Sequence, residues 1–365
     1  MGDAFFDTYM GRGPRKVTHY EHWSNPDAET YLTGIDYYEH PRQCRQRLAE
    51  MYPMLGLGVP DTDDPRPRPR LSGDSNAPSA DLERHTVRWG EGETGTWEHG
   101  EAIFKTVDDV LNFSPLAKAD FSDWEFVVMA QDYSSEEAIY QQYRKHYPAE
   151  WGDKAPECSS AGTWFYNTMF MWPMLTFGWE LFLEACLLDE FEPVMDEFAE
   201  INRRVFRAFS RLPINFVTCH DDIVTTRGPV CSPAWMHKYI FPRYEEYWSI
   251  LKDAGKEVIF MVDGRLDDYV DDVMACGARG FVTEPYTDFK SVAKRYDNPV
   301  LAGEGDNRIL MRNNPAEIRA MVESMVETAK MSGGYFMCVG NHIPWNVPPE
   351  AVKLYLDYSH ELAYR

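Results

Sequence analysis

From Leu212 onward, apolar and polar positions follow one repeating pattern: a short apolar run, a polar loop, an amphipathic segment and a Gly or Pro break. Short apolar runs bounded by such breaks predict strands, and apolar positions with a helical period predict helices. The predicted strands are Ile214–Cys219, Val258–Val262, Gly280–Thr283, Pro299–Ala302 and Tyr335–Val339. The predicted helices are Ser232–Ala254 with a kink at Pro242, Leu266–Cys276, Asp288–Tyr296, Asn314 to the residues before Gly333, and Pro349–Tyr364. Strands that alternate with helices in this way predict parallel βαβ units.

The first half of the chain has a less regular pattern. Pro60–Ser79, rich in Pro, Asp, Arg and Ser, predicts a long surface loop, and Thr86–His99 alternates around glycines as a β-hairpin does. Ser134–His146 and Glu190–Ser210 have helical periods. Thr163–Phe182 is dense in aromatic residues and Met, which fits either a strand end and helix that line a pocket or a plain core helix.

These elements predict an α/β fold, a (β/α)8 TIM barrel with N-terminal additions. No G-x-G-x-x-G sequence follows a predicted strand, which disfavours the alternative of a dinucleotide-binding sheet. A length of 365 residues suits one barrel of eight units. We therefore predict a single domain over residues 1–365, in which 1–150 holds the additions and the first barrel units.

Composition limits the partners and the cellular compartment that we expect for the protein. The formal net charge of -23 disfavours nucleic acid and anionic membranes as partners, while a partner protein with a basic face, or simple solubility, stays open. Seven scattered cysteines without a C-x-x-C pair indicate a reducing compartment. Residues 1–16 lack the apolar stretch of a signal peptide, and no run of about 18 apolar residues occurs. We predict a cytoplasmic protein.

Polar residues follow each of the predicted strands, where a β/α barrel places its functional groups. These residues are His220, Asp221 and Asp222, then Asp263, Glu284, Glu304, and Asn341 with His342. Carboxylates and imidazoles that converge in a pocket suit a catalytic zinc ion with one open position. Glu284, Glu304 and His342 are the predicted ligands, with Asp263 as a fourth ligand or an outer partner. Ion pairs with nearby arginines, or general-acid chemistry without a metal, are the alternatives.

Several segments carry a resemblance to a known family. Asp221-Asp222 is followed by Gly228–Pro233 (GPVCSP) and then by Phe241-Pro242. Leu301–Leu310 (LAGEGDNRIL) and the stretch from Asn313 to Val352 come later. In this order the segments resemble the uroporphyrinogen decarboxylase superfamily, well over residues 155–365 and poorly over the first 150. The resemblance implies a (β/α)8 barrel with a funnel at the strand ends, used for porphyrinogen decarboxylation or for methyl transfer involving a corrinoid protein.

Departures from the sequence motifs of the superfamily favour one group of enzymes within it. The Arg-rich N-terminal element of the true decarboxylases is missing. The thiol-activating methyltransferases carry H-x-C-G and a later Cys, where this chain has Met261–Gly264 (MVDG) and Gly340–His342 (GNH). What remains is similar to the substrate-side methyltransferases of O-demethylase systems, whose zinc sites use carboxylate and His ligands.

The resemblance thus implies that a methyl group moves from a methoxylated aromatic, with zinc on the ether oxygen, to the Co(I) cobamide of a separate corrinoid protein. His220, Asp221 and Asp222 are the predicted catalytic residues, which would hydrogen-bond the ring substituents or protonate the leaving oxygen. The predicted substrate-binding residues are Trp164, Phe165, Tyr166, Trp172, Trp345 and Asn341.

Three alternatives stay open on the sequence. One is a uroporphyrinogen-type decarboxylase with Asp221 or Asp222 as its acid, and another is a barrel that binds a ligand or a partner without catalysis. The third is a corrinoid methyltransferase for another small-molecule donor, such as a methylamine, methanol or a thioether. The sequence leaves the oligomeric state open, a homodimer included.

Overall fold

The computed structural model describes residues 3–66, 84–89, 92–97, 103–122, 131–157 and 163–365. The chain forms two compact units. The first consists of Met1–Phe6 and His99–Phe281, and the second of Asp7–Glu98 and Val282–Arg365. None of the helices in the described ranges is long and apolar enough to cross a membrane.

The helices of the described residues are α1 (Ala4–Tyr9), α2 (Pro26–Thr33), α3 (Pro41–Met51), α4 (Val107–Leu111), α5 (Pro115–Lys118), α6 (Glu136–Arg144), α7 (Met171–Phe177), α8 (Trp179–Ala185), α9 (Glu192–Arg211), α10 (Pro233–Tyr239), α11 (Phe241–Asp253), α12 (Val270–Ala275), α13 (Phe289–Arg295), α14 (Asn307–Met311), α15 (Pro315–Ala329) and α16 (Pro349–Leu362). The strands are β1 (Trp23–Ser24), β2 (Arg84–Trp89), β3 (Gly92–Trp97), β4 (Thr163–Asn167), β5 (Phe216–His220), β6 (Val224–Thr225), β7 (Gly228–Pro229), β8 (Glu257–Met261), β9 (Gly280–Val282), β10 (Val300–Ala302) and β11 (Ile343–Pro344).

Parallel strands form the sheet of the first unit. β4 pairs with β5, and β5 pairs with β8, so that His220 lies beside Asn167 on one side and beside Met261 on the other. The amide of Arg279 donates to the carbonyl oxygen of Val258 (2.7 Å) and brings the start of β9 next to β8. Parallel strands joined by helices confirm the predicted α/β class.

The two faces of this sheet have different neighbours. Phe260 of β8 packs against Tyr244 and Trp248 of α11, with ring centroids 5.7 Å and 5.9 Å apart. Successive side chains of a strand point to opposite faces. Met261 and its register partner His220 therefore face away from α11, and so does Asp263 two residues further along.

Sequence pattern also accounts for the helices that cover the sheet. Along α9, Val194, Phe198, Ile201, Val205 and Phe209 recur at intervals of three and four residues and are all buried. The predicted kink in Ser232–Ala254 is a break between α10 and α11 at Ile240.

In the second unit, the segment before α2 runs beside the segment that leads to β11. β1 pairs with β11 in parallel, and His19 forms a parallel bridge with Met337. The predicted strand Tyr335–Val339 consists of such single bridges rather than a continuous ladder. Gly303 has a φ of +105°, and a Cβ there would lie 1.7 Å from the carbonyl oxygen of Thr283, so only glycine fits this strand end.

Other predicted elements are also found. β2 and β3 pair antiparallel and confirm the hairpin. Asn314 caps α15, since its side-chain oxygen accepts hydrogen bonds from the amides of Ala316 and Glu317. Of the predicted loop at residues 60–79, positions 60–66 hold neither helix nor strand, and the remainder lies outside the described residues.

Candidate functional site

Three titratable side chains meet at the carboxyl end of the sheet in the first unit. His220 is the last residue of β5, Asp222 follows two residues later, and Asp263 lies two residues beyond β8. The potential ligand atoms of these side chains all lie within 4.8 Å of one another, and each side chain is half-buried. We call this group the His220 cluster. It forms because the ends of adjacent parallel strands lie side by side.

Two contacts of Asp222 hold the His220 cluster together. Its Oδ1 accepts a hydrogen bond from the backbone amide of Asp263 (2.9 Å) and lies 3.1 Å from Nε2 of His220. One carboxylate oxygen thus links the ends of β5 and β8. The other oxygen of Asp222, the imidazole and the Asp263 carboxylate are the groups that a bound ion or a substrate would meet.

Gly264 allows the chain to turn directly after Asp263. Its φ is +113°, and a Cβ there would lie 2.7 Å from the carbonyl carbon of Thr225. The next amide, of Arg265, donates to the carbonyl oxygen of Thr225 (3.0 Å). A residue with a side chain would push this turn away from β6 and displace Asp263.

The charged side chains of the cluster shift one another's pKa values. Burial, and then the nearby charge of Asp222, raise the pKa of Asp263 to about 6, although His220 opposes the shift. Burial alone would lower the pKa of His220, but the hydrogen bond to Asp222 and the charges of Asp222 and Asp263 outweigh it and raise that pKa. Two carboxylates held this close are stabilised by a positive charge between them.

The chemistry of these side chains fits a divalent metal ion. One imidazole nitrogen and two carboxylate oxygens are ligand types that zinc takes in proteins. Three protein ligands would leave a coordination position for a substrate. Among the residues that the structure describes, this is the one set of three or more His, Cys, Asp and Glu side chains close enough together to share an ion.

Asp221, which lies between His220 and Asp222, faces the other way and is fully buried. Its carboxylate accepts hydrogen bonds from the amides of Met171 (2.7 Å), Phe170 (3.1 Å) and Thr168 (3.2 Å). The hydroxyls of Tyr244 (2.6 Å) and Thr168 also donate to it. Burial raises the pKa of Asp221, and these donors oppose the shift. The structure thus separates Asp221 from the two neighbours with which it was predicted to act.

The other predicted metal ligands, Glu284, Glu304 and His342, belong to the second unit. Both carboxylate oxygens of Glu304 are hydrogen-bonded, Oε1 by the hydroxyl of Thr328 (2.9 Å) and Oε2 by that of Tyr335 (2.7 Å). Burial raises the pKa of Glu304 and lowers that of His342. The ligand assignment of these three residues stays a prediction.

Two of the predicted substrate-binding residues, Tyr166 and Trp172, are buried in the aromatic layer that meets α9. The ring of Tyr166 lies 5.8 Å from that of Phe206, and the ring of Trp172 lies 5.6 Å from that of Phe198. These contacts agree with the alternative of core packing that the sequence left open.

The remaining predicted substrate-binding residues are more dispersed. Trp345 is half-buried and Asn341 exposed, both in the second unit. Trp164 and Phe165 belong to β4, and their side chains lie outside the described part of the chain. Substrate contact by these residues stays a prediction.

Sequence reasoning did not group His220, Asp222 and Asp263 as one set. The signal that could have found the set is the spacing of two between His220 and Asp222, which places both on one face of an extended segment. Asp263 then joins them because it follows the neighbouring strand by the same two residues as Asp222 follows β5.

The fold and the cluster at the strand ends define a parallel α/β protein with a polar site at the carboxyl ends of its strands. Residues 187–362 match the family model of uroporphyrinogen decarboxylase (URO-D), whose fold is a TIM barrel. This match confirms the predicted resemblance to the uroporphyrinogen decarboxylase superfamily for that part of the chain, and with it the predicted fold class. The prediction of a single domain stays a prediction.

Comparison with individual proteins adds support for the fold. A methyltransferase from Methanosarcina mazei superposes with a TM-score of 0.53 at 15% sequence identity, over 98% of this chain and 97% of that protein. A xylose isomerase-like TIM barrel protein from Mycobacterium smegmatis, in complex with magnesium, gives a TM-score of 0.29 at 12% identity over 71% of this chain and 99% of that one, too low to support an argument. No curated protein matches the chain.

Proposed function

We propose that this protein is a methyltransferase that moves a methyl group from a methoxylated aromatic compound to the Co(I) cobamide of a separate corrinoid protein. The observation that carries the proposal is the His220 cluster at the strand ends of a uroporphyrinogen decarboxylase-like fold. The methyltransferase from Methanosarcina mazei, which shares this fold over 98% of the chain, is consistent with the reaction class.

The metal ligands in this proposal are His220, Asp222 and Asp263. Asp263 was among the ligands predicted from the sequence, whereas His220 and Asp222 were predicted as catalytic residues. Zinc bound there would supply Lewis acidity towards the ether oxygen of the donor, so that a phenolate becomes a better leaving group. The donor types and their proximity support this set over the hydrogen-bonded carboxylate of Glu304.

The protein's own groups orient the reacting atoms in this scheme. The amide of Asp263 fixes one oxygen of Asp222 and thereby orients this carboxylate. His220, held by Asp222, keeps one ring orientation. Ordered ligands of this kind lower the entropic cost of bringing donor and acceptor together.

The methyl transfer itself requires a nucleophile from outside the chain. An electron pair of Co(I) forms the new bond to the methyl carbon, and the ether oxygen keeps the pair of the broken carbon–oxygen bond and leaves as a phenolate. Imidazole and carboxylates are too weak as nucleophiles to take a methyl group from an ether. The corrinoid protein is therefore the methyl acceptor, and the side chains of the His220 cluster bind and orient the donor.

Metal analysis of purified protein and of four variants tests the proposal. We expect about one zinc per chain, lost in His220→Ala, Asp222→Ala and Asp263→Ala and kept in Glu304→Gln. Glu304 is the matched control because it is a buried carboxylate of the originally predicted set. Loss of zinc in Glu304→Gln alone, with retention in the other three variants, would show that the metal is held by the ligands predicted from the sequence and not by the His220 cluster.

The donor is tested separately. The protein is mixed with a reduced corrinoid protein and a panel of a methoxyarene, a methylamine, methanol and a thioether, and methyl–cobalt absorbance is followed. Methyl transfer from the methoxyarene supports the proposed donor. Transfer from another member of the panel corrects the donor, and porphyrinogen decarboxylation by the protein alone would overturn the reaction class.

A further inference from the structure

We infer that Asp221 is a positioning residue, a buried carboxylate that holds the two neighbouring ligands of the His220 cluster in place by tying two elements to the end of β5. The inference rests on the proposed function of that cluster as a metal site. Asp221 itself faces away from the cluster and has no role in binding the donor.

The first element that Asp221 holds is the turn between β4 and α7. Three backbone amides of this turn, those of Thr168, Phe170 and Met171, donate hydrogen bonds to the carboxylate. Amides at the start of a helix have no partner within the helix and need an acceptor. Asp221 supplies that acceptor from a different strand, and thereby joins the end of β4 to the end of β5.

The second element is α11, which covers the sheet face opposite the cluster. The hydroxyl of Tyr244 donates to Asp221 over 2.6 Å, and the ring of Tyr244 stacks on Trp248 with centroids 4.7 Å apart. Both aromatic residues are fully buried. The position of the carboxylate is therefore fixed by a packed helix and not only by loop backbone.

The backbone on either side of Asp221 is held as well. Its own amide donates to the carbonyl oxygen of Met261 in β8 (3.1 Å), and the amide of Thr168 donates to the carbonyl oxygen of His220 (3.1 Å). Residues 220–222 are thus fixed to both neighbouring strands. With Asp221 anchored on one face, the side chains of His220 and Asp222 must emerge on the other, towards Asp263.

The donors around Asp221 demand a carboxylate in particular. The partners of its side chain are the N–H and O–H groups described above, so the side chain acts only as an acceptor. An asparagine of the same size would direct its NH₂ group at some of these donors. The repulsion would loosen the turn and the strand end together, while the packing volume stays the same.

The effect on the metal site follows from preorganisation. Groups that orient metal ligands without touching the metal typically change its affinity by about 10- to 100-fold. We expect Asp221→Asn to weaken metal binding by a factor in this range and to alter the geometry of the bound ion. Tyr244→Phe removes one donor, keeps the carboxylate and should have a smaller effect in the same direction.

The experiment is a titration of the full-length protein with Co²⁺ alone, followed by the d–d absorption of the bound ion and by competition with Zn²⁺. The variants are Asp221→Asn and Tyr244→Phe, with Val205→Ala as control. Val205 is buried in α9 and makes no side-chain hydrogen bond, so its truncation lowers stability without altering the anchor. A merely structural role for Asp221 would leave the d–d spectrum unchanged, as in Val205→Ala.

A weakened affinity and a changed spectrum in Asp221→Asn, with both unchanged in Val205→Ala, support the inference. Wild-type affinity and spectrum in a folded Asp221→Asn variant overturn it. If Asp221→Asn does not fold, Tyr244→Phe decides by the same criteria. A wild-type protein that binds neither Co²⁺ nor Zn²⁺ would contradict the proposed metal site and the inference together, whereas an unchanged Asp221→Asn variant contradicts the inference alone.

Discussion

The backbone amide of Asp263 donates a hydrogen bond of 2.9 Å to the side chain of Asp222. These two residues follow different strands, β8 and β5, and each lies two residues beyond its strand. The bond holds the carboxylate of Asp222 against the backbone of Asp263. A substitution that moves the backbone after β8 will therefore also move the side chain of Asp222, even when none of the proposed metal ligands is replaced.

Gly264→Ala should therefore impair metal binding. The added Cβ would lie 2.7 Å from the carbonyl carbon of Thr225, and the φ of +113° is unfavourable for alanine. We expect strain of about 1–3 kcal/mol, relieved by movement of Asp263, and a weaker affinity for Co²⁺ in the same absorption titration.

The control for this variant is Gly255→Ala. Gly255 has a φ of +74° with no atom within 4 Å of the added Cβ, so it carries only the conformational cost of about 1–2 kcal/mol. Equal affinities for Co²⁺ in both variants would contradict the expected coupling between the turn and the cluster.

Glu304→Gln should lower stability and leave the zinc content unchanged. The carboxylate accepts from Thr328 and Tyr335, and glutamine retains one acceptor oxygen but places an NH₂ group against the second hydroxyl. The expected loss is about 1–3 kcal/mol, measured by denaturant unfolding and accompanied by metal analysis. A stable variant that lacks zinc would show that Glu304 is a ligand.

Glu21→Gln should change how the stability of the protein depends on pH. Glu21 is fully buried, and burial raises its pKa above the ordinary value of a glutamate, against the opposing hydrogen bonds from His19 and Tyr355. The folded state then binds the Glu21 proton more tightly than the unfolded state. The resulting stabilisation is complete below the ordinary pKa and is lost as the pH rises through the raised pKa.

Glutamine does not titrate, so the variant does not lose stability through this residue as the pH rises. The free energy of unfolding of the variant minus that of the wild type should rise as the pH increases from roughly 4, by about 1.4 kcal/mol for each unit of pKa shift. Urea unfolding at a series of pH values gives this difference. Glu323→Gln, at an exposed carboxylate, serves as the control, and a flat difference for Glu21→Gln would refute the expected sign.

Methyl transfer should depend strictly on the corrinoid partner. The protein with a methoxyarene and no cobamide is expected to release no phenol, since no side chain of the His220 cluster can take the methyl group. Addition of a reduced corrinoid protein should start the reaction, and Asp263→Ala should abolish it. Phenol release without cobamide would refute the proposed acceptor.

Much of the fold could be predicted from the sequence because strands and helices follow local pattern. The strand predicted at Ile214–Cys219 is observed at Phe216–His220, and the kink predicted from Pro242 is a helix break at Ile240. The bounds of this strand shift by one or two residues because pairing with neighbouring strands, and not the run of apolar residues, decides where a strand ends.

The site could be predicted only as a set of polar residues near strand ends. The sequence places His220, Asp221 and Asp222 together, but the face to which each points depends on the phase of the strand, which packing against α11 determines. The same holds for Glu304, whose partner hydroxyls lie 24 and 31 residues further along the chain. Contacts over such separations are not encoded in local spacing.

The anchoring of Asp221 also has a consequence for the order of folding. Its partners Thr168 and Tyr244 lie 53 residues before it and 23 residues after it in the chain. Contacts between distant segments close slowly, because the entropy of the intervening loops is lost before the contacts form. A chain that has formed its helices but has not docked α11 should therefore not yet hold a metal ion, and the appearance of metal binding during refolding should coincide with the last phase of native packing in this unit.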